Sequence, residues 1–149
     1  MGSEMCIRDS HTFYIGDFGN GSKMKFVANV LVAIHNVAAA EAMVLGMKAG
    51  LEPDSIYDVV KTGAGNSRMF ELRAPMMVKN EYANATMKMD VWQKDMQVIG
   101  EFAEHLGCQI PLFSESATIY KQGIASGMEK LDTASVCRII EQLSGLQRS

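Results

Sequence analysis

One long apolar run restricts the fold of this chain more than any other feature. Between Lys23 and Lys48 the sequence has no proline and a single glycine, Gly46, and "FVANVLVAIHNVAAAEAMVLGM" is apolar at nearly every position. The run predicts one α-helix of about 40 Å, with Ser22 as its N-cap and Gly50 as its stop. A surface helix has one apolar stripe, so this pattern predicts a central helix buried on almost every side.

A membrane-spanning helix is the alternative interpretation of the same run. Asn29, His35, Asn36 and Glu41 interrupt it, so no clean stretch of about 20 apolar residues remains. We therefore predict no membrane association and place the helix between domains or subunits.

The remaining elements are also predicted to be helical. "HTFYIGDFGNG" is typical of a short strand that enters a glycine-rich turn. After it, three signals predict further helices: prolines at helix starts, glycines at helix ends, and apolar residues spaced 3–4 positions apart. The fold class is therefore all-α, with five to seven helices around one long central helix. The expected helices are Pro53 to Gly63, Arg68 to Arg73 with Pro75 breaking or restarting it, a helix over "DVWQKDMQVIGEFAEHLG" ending at Gly107, Pro111 to Gly127, and Asp132 or Thr133 to Gly145.

Composition excludes several classes of function. The 149 residues suit one domain or a piece of a larger protein, and a net charge of −3 argues against a nucleic-acid binder. The three cysteines form no CxxC pair, which is typical of reduced thiols in a cytoplasmic protein. The scattered histidines and cysteines predict no metal site.

The first ten residues are set apart from the fold. "MCIRDS", residues 5–10, resembles a translated sequencing adapter, and "MGSEMCIRDS" lacks the apolar region of a signal peptide. We expect residues 1–13 to be an artefactual or disordered leader, with residues 14–149 as the domain. An ordinary flexible leader is the other interpretation. If the stretch is a translated adapter, we expect the gene to continue upstream.

Two polar residues at the start of the long helix do not fit a core. Lys25 and Asn29 are four residues apart, so they project from one face of the helix. One interpretation is a lysine that reaches solvent beside an amide satisfied in the interior. The other is a general acid/base beside an amide that holds substrate, because a lysine can exchange a proton with a hydroxyl.

Three ordered blocks carry a resemblance to a known family. "GNGSKMKFVAN" resembles the G-x-G-x-x-x-K-x-x-x-N signature that opens the C-terminal helical domain of the β-hydroxyacid dehydrogenases. "AAAEAMVLGMKAGLEPDSIYDVV" and "VWQKDM" are similar to two later family motifs, and "AGNSRMFELRAPMM" resembles the threonate-dehydrogenase-like members most. The resemblance covers about residues 14–145 and implies a helical C-terminal domain of the 6-phosphogluconate dehydrogenase-like type.

The resemblance also implies roles for particular residues. Lys25 corresponds to the catalytic acid/base, and Asn29 to the amide that hydrogen-bonds the substrate, with Gly21 and Ser22 beside it in the substrate-binding turn. The substrate of the family is a small hydroxyacid or a related sugar acid. Met87 stands where many hydroxyisobutyrate enzymes have phenylalanine, which puts hydroxyisobutyrate itself in doubt.

The implied cofactor is NAD or NADP, bound mostly by a domain that this sequence does not contain. Lys94 corresponds to a lysine near the nicotinamide, and Asp95 stands beside it. The dinucleotide-binding G-x-G-x-x-G turn of a Rossmann domain is absent, since "GDFGNG" leads into a helix and not into a βαβ unit. We therefore expect a fragment that is inactive without its Rossmann half, and a homodimer or homotetramer.

Two alternatives stay open at this level. The chain could be a non-catalytic helical module of the same fold that self-associates through its long apolar helix. Asn66, Ser67 and Arg68 could line a substrate or partner-subunit pocket, or could form a capped helix turn with a solvated arginine.

Overall fold

The protein is described by a computed structural model that covers residues 2–7 and 11–149, so residues 8–10 of the adapter-like stretch lie outside the described residues. The chain divides into two compact units, Met1–Val32 and Ala33–Ser149. The elements in chain order are β1 (Gly2–Ile7), β2 (His11–Asp17), α1 (Asn20–Lys48), α2 (Pro53–Val60), α3 (Arg68–Lys79), α4 (Met89–His105), α5 (Pro111–Ala125), a 3₁₀ turn (Thr133–Ser135) and α6 (Val136–Leu143).

The first unit contains an antiparallel pair, β1 and β2, and the start of α1. The predicted N-cap, Ser22, is wrong, because α1 already begins at Asn20. Gly19 turns the chain with φ +91°, and its carbonyl accepts the first helical hydrogen bond from the Lys23 amide at 3.3 Å. The Asn20 side chain donates to the Ile15 carbonyl at 3.0 Å, which ties the helix start to β2.

Every helix or strand that the second unit contains is a helix, which confirms the all-α fold class for this part of the chain. Helices α2 and α5 begin at their predicted prolines, Pro53 and Pro111. The close approach of α1 to α2 explains the internal Gly46, because a Cβ there would lie 2.5 Å from Cδ1 of Ile56. The chain turns with positive φ just after α1, α4, α5 and α6, at Gly50, Gly107, Gly127 and Gly145.

The predicted break at Pro75 is wrong, because α3 runs unbroken from Arg68 to Lys79 with the proline inside it. Proline removes one helical N–H and costs about 3 kcal/mol in a helix interior. Helix α3 nevertheless continues because Phe70, Ala74 and Met77 bury one side of it, before and after the proline. Packing of an apolar face therefore outweighs the local penalty.

Arginines satisfy the carbonyls at the end of α3. Arg148 donates to the carbonyls of Met77 and Val78, and its Nε lies 2.6 Å from the Glu141 carboxylate. Arg138 donates to the carbonyl of Asn80, the left-handed C-cap residue, at 3.2 Å. Cations at a helix C-terminus are favourable because they face the negative end of the helix dipole.

A polar network lies inside the second unit. The Asn36 amide donates to the Tyr120 hydroxyl at 2.9 Å and to the Thr133 carbonyl at 3.0 Å, and the Tyr120 hydroxyl donates to the Ala33 carbonyl at 3.0 Å. Burial raises the pKa of Tyr120, so its phenol stays protonated and keeps its donor. The ring of Trp92 packs edge-on against Tyr120, with centroids 6.2 Å apart. These bonds join α1, α5 and the 3₁₀ turn.

Within this chain α1 is buried only in part, so burial on almost every side, between domains or subunits, stays a prediction. Its buried residues all lie between Ala33 and Gly46, and Leu45 is 73% exposed even there. By length and composition α1 could cross a membrane, and 39% of its most apolar window is buried in the structure. The core helix of a soluble protein meets the same criterion, so the absence of a membrane span stays a prediction.

We expect Tyr120→Phe to lower the free energy of unfolding by about 1–3 kcal/mol, because it removes a buried hydroxyl that accepts from the Asn36 amide and donates to the Ala33 carbonyl. Tyr57→Phe is the matched control, since Tyr57 is half-buried and stacks on Phe70 through its ring, which the substitution keeps. Urea denaturation followed by circular dichroism measures both variants. Equal midpoints would contradict the role assigned to the Tyr120 hydroxyl.

Candidate functional site

Lys25 and Asn29 lie in the second and third turns of α1, within the first unit. Because they are four residues apart, their side chains leave the same face, with Cβ atoms about 6 Å apart. Lys25 is exposed and Asn29 is half-buried. An exposed ammonium beside a partly sheltered amide can reach a small polar ligand, which a lysine engaged in the core could not.

The opposite side of the same helical segment is apolar and exposed. Met24, Val27 and Leu31 are 41%, 57% and 51% exposed, and at 100° per residue they face away from Lys25 and Asn29. The start of α1 therefore presents one polar face and one apolar face.

The other residues predicted to bind substrate, Gly21 and Ser22, lie one turn before Lys25. Ser22 is exposed and Gly21 is half-buried. All four residues with a predicted role at the substrate thus lie within the first three turns of one helix.

Lys94 and Asp95 lie on α4 in the second unit, Lys94 exposed and Asp95 half-buried. The start of this helix is held by the backbone, because the amides of Met89 and Asp90 donate to the carbonyls of Leu131 and Glu129, each at 3.0 Å. The exposed Lys130 ammonium, 2.5 Å from the Asp90 carboxylate, holds the pKa of that carboxyl below its usual range.

A buried carboxylate that the sequence did not single out as more than a cap lies behind this helix start. Asp132 is completely buried, and it accepts from the amides of Thr86 and Met87 at 2.9 and 3.2 Å. It also pairs with Arg73 at 3.2 Å and caps the 3₁₀ turn through the Ala134 amide at 2.8 Å. Local pattern predicts only the cap, since the other partners are 45 to 59 residues away.

Residues 66–68, before and at the start of α3, form the capped helix turn that was one of the two interpretations of Asn66, Ser67 and Arg68. The Ser67 hydroxyl accepts from the Phe70 amide at 3.0 Å, and Asn66 donates to Glu71 at 2.8 Å. Arg68 pairs with Glu71 at 3.5 Å and stays largely exposed. Asn66 and Ser67 also line a cavity of about 290 Å³ beside His35, so a pocket role remains a prediction.

The thiols and acids of the described residues offer little other chemistry. Burial raises the pKa of Cys137 to about 12, so its thiol is protonated and unreactive at neutral pH. Cys108 is exposed. Over residues 2–7 and 11–149, no group of three or more His, Cys, Asp or Glu side chains could hold a metal ion.

Comparison with known proteins identifies the family. The family model described as "NAD-binding of NADP-dependent 3-hydroxyisobutyrate dehydrogenase" matches residues 19–140, which include Lys25, Asn29 and Lys94. The chain belongs to this family. The match confirms the resemblance inferred from the three sequence blocks, and its description agrees with the predicted cofactor, NAD or NADP.

Individual relatives agree with the family. The chain is 36% identical to an L-threonate dehydrogenase of Cupriavidus necator over 121 residues, 81% of this chain and 40% of that enzyme. It is 32% identical to the chloroplastic glyoxylate/succinic semialdehyde reductase 2 of Arabidopsis thaliana, covering 87% and 36%. The crystal structure of a 3-hydroxyisobutyrate dehydrogenase from Salmonella typhimurium matches with a TM-score of 0.79 and 35% identity, covering 83% and 43%. The chain thus spans less than half the length of these relatives.

We expect Lys25→Ala and Lys94→Ala to change the free energy of unfolding by less than about 0.5 kcal/mol. Both side chains are exposed, and neither forms an ion pair within the described part of the chain. Urea denaturation with Tyr120→Phe as the sensitive control measures this. A loss as large as that of the control would assign the lysines a structural role instead of a functional one.

Proposed function

We propose that residues 14–149 are the helical, lysine-bearing C-terminal domain of an NAD(P)-dependent oxidoreductase that acts on a small β-hydroxyacid or a related sugar acid. The family match across Lys25 and Asn29, on one face of α1, carries this proposal. The chain matches only part of each relative, and the sequence has no G-x-G-x-x-G turn, so the proposed enzyme includes a dinucleotide-binding half upstream. The chain alone would then not turn over.

Lys25 is the proposed proton-transfer group. A bound NAD(P) would supply the hydride acceptor or donor for the carbon that bears the substrate hydroxyl. In the oxidation direction the Lys25 amine takes the hydroxyl proton, and in the reduction direction the ammonium returns it to the developing alkoxide. The exposure of Lys25 suits this role, because its Nζ is available to a ligand.

Asn29 is proposed to orient the substrate. Its amide offers two N–H donors and an oxygen with two acceptor sites, so it can bind a hydroxyl or a carboxylate of a small acid. Because Asn29 lies four residues after Lys25, both groups can contact one small ligand, and Gly21 and Ser22 lie one turn earlier. A fixed geometry of this kind lowers the entropy cost of bringing the hydroxyl to the base.

The groups of this chain proposed to contact a dinucleotide are two side chains on α4, Lys94 and Asp95. Lys94 presents an exposed ammonium near the start of α4, which can attract the phosphates or the carboxamide of NAD(P) as a point charge. The backbone cradle that normally holds the pyrophosphate is a glycine-rich turn before a helix of a βαβ unit, and the sequence lacks one. Lys94 and the half-buried Asp95 would therefore position the cofactor and not supply most of its affinity.

The test uses the extended enzyme, which we define as this chain joined in frame to the coding sequence upstream of it. We expect Lys25→Ala to lower kcat by about 10² to 10⁴, the usual contribution of general acid–base catalysis. Lys23→Ala is the matched control, because it removes an exposed lysine from the same helix start but from a different face. Steady-state assays with a panel of hydroxyacids measure both. A loss of only a few-fold for Lys25→Ala would exclude the acid/base role.

A second candidate function rests on the exposed apolar face of Met24, Val27 and Leu31. In this alternative the chain is a non-catalytic helical module that self-associates, and the enzyme as proposed also uses a homodimer or homotetramer to cover that face. Both therefore predict oligomers in sedimentation velocity.

The genomic DNA upstream of the Tyr14 codon separates the two functions. We expect an in-frame βαβ region with a G-x-G-x-x-G turn, because the relatives are more than twice as long as the matched segment. Sequencing reads this directly. A stop codon immediately upstream would instead favour the self-association module.

A further inference from the structure

The carboxylate of Asp132 does more than cap the turn it begins. A capping carboxylate needs one hydrogen bond to a backbone amide, and Oδ1 of Asp132 makes that bond to Ala134 at 2.8 Å. The other oxygen, Oδ2, accepts from the backbone amides of Thr86 and Met87 at 2.9 and 3.2 Å and from the Thr86 hydroxyl at 3.1 Å. One oxygen thus holds a segment 45 residues earlier in the chain.

That segment leads directly into α4. The amide of Thr133 donates to the Met87 carbonyl at 2.9 Å, and the amide of Met89, the first residue of α4, donates to the Leu131 carbonyl at 3.0 Å. Lys88 and Asp132 form an isolated antiparallel bridge between these bonds. The entry to α4 is therefore fixed against the strand-like segment that contains Asp132.

The contacts of the Asp132 carboxylate with Arg73, Thr86 and Met87, which we call the α4 clamp, are charge-assisted hydrogen bonds. Asp132 is completely buried, and its partner Arg73 has a side chain only 12% exposed. Charge-assisted hydrogen bonds in such a setting are roughly twice as strong as neutral ones. The Arg73 nitrogen that pairs with Asp132, Nη1, also donates to the Thr86 hydroxyl. Removing the charge of Asp132 would leave a buried guanidinium without its partner.

We infer that Asp132 is a positioning residue for the cofactor contact of Lys94. This inference rests on the proposed function, in which the Lys94 ammonium meets NAD(P). Lys94 lies on the second turn of α4, close enough to the clamped start that a shift or tilt there moves its ammonium. Displacements of about 1 Å at a reacting site can cost a factor of about 10² in rate.

A double-mutant cycle in the extended enzyme tests the inference. We expect Lys94→Met to raise KM for NAD(P), and Asp132→Asn to raise it by about tenfold through misplacement of Lys94, with little change in KM for the hydroxyacid. If Asp132 acts through Lys94, adding Asp132→Asn to Lys94→Met changes KM for NAD(P) by less than about twofold. Independent, multiplying effects would overturn the inference.

Glu141→Gln is the matched control for loss of stability. Glu141 is also a buried carboxylate paired with an arginine, Arg148, but its network holds α6 to the end of α3. We expect this variant to be destabilised without a change in KM for NAD(P). An equal rise in KM would show that general loosening, and not the α4 clamp, explains the Asp132 effect.

A second variant covers the case in which Asp132→Asn does not fold, and the Lys94→Met result separates failure of the two roles. If Asp132→Asn does not fold, Thr86→Ala replaces it, because it deletes the hydroxyl between Arg73 and Asp132 and keeps both backbone amides. Hydrogen exchange should then rise over residues 86–92 and not over α5. If Lys94→Met leaves KM for NAD(P) unchanged, the cofactor role in the proposed function fails. If only the coupling is missing, that role stands and the positioning role fails.

Discussion

The buried carboxylate of Asp132 is the interaction on which most of the second unit depends. It joins three stretches of chain that have no sequence proximity: α3 through Arg73, the loop before α4 through Thr86 and Met87, and the 3₁₀ turn before α6 through Ala134. A buried ion pair adds little net stability compared with an apolar pair of the same size, but breaking one half of it is costly. We expect its main effect to be structural specificity, because its two oxygens accept hydrogen bonds from all three segments at once.

The Asn36–Tyr120 network adds a second set of polar contacts beside the Asp132 contacts. It ties α1 and α5 to the carbonyl of Thr133, the residue that follows Asp132. The two networks therefore meet at adjacent residues, one through a charge and one through neutral donors. Together they hold α1, α3, α4 and α5 to a single short turn, while the candidate catalytic residues at the start of α1 lie in the other compact unit.

Local signals in the sequence were sufficient for most of the helices. Pro53 and Pro111 start helices as predicted, and glycines with positive φ follow four of the six, because these residues act through their own backbone preferences. The family signature on Lys25 and Asn29 was equally readable, since it depends on spacing within one helix. Ser22 was a misleading signal, because Gly19 and the Asn20 side chain start the helix two residues earlier.

What the sequence could not supply are effects that depend on distant partners. The continuation of α3 through Pro75 depends on an apolar face packed against the rest of the unit. The hydrogen bonds by which Asp132 links separate segments depend on partners 45 to 59 residues away. The burial expected for α1 depends on partners outside this chain. Apolar composition reports what a helix can bury, whereas the exposed Leu31 and Leu45 show that this chain alone does not cover it.

Arg148, which donates to carbonyls at the end of α3, has a consequence for the order in which the second unit folds. Arg148 reaches Met77 across 71 positions of chain, and Asn36 reaches Thr133 across 97. During synthesis α1 to α5 are made before positions 132 to 148, so the polar groups that pair with those positions stay hydrated until these partners are added. Contacts of such long range must overcome the entropy of closing large loops before they contribute. Folding of this unit is therefore expected to be completed only when the segment from residue 132 to Arg148 has docked.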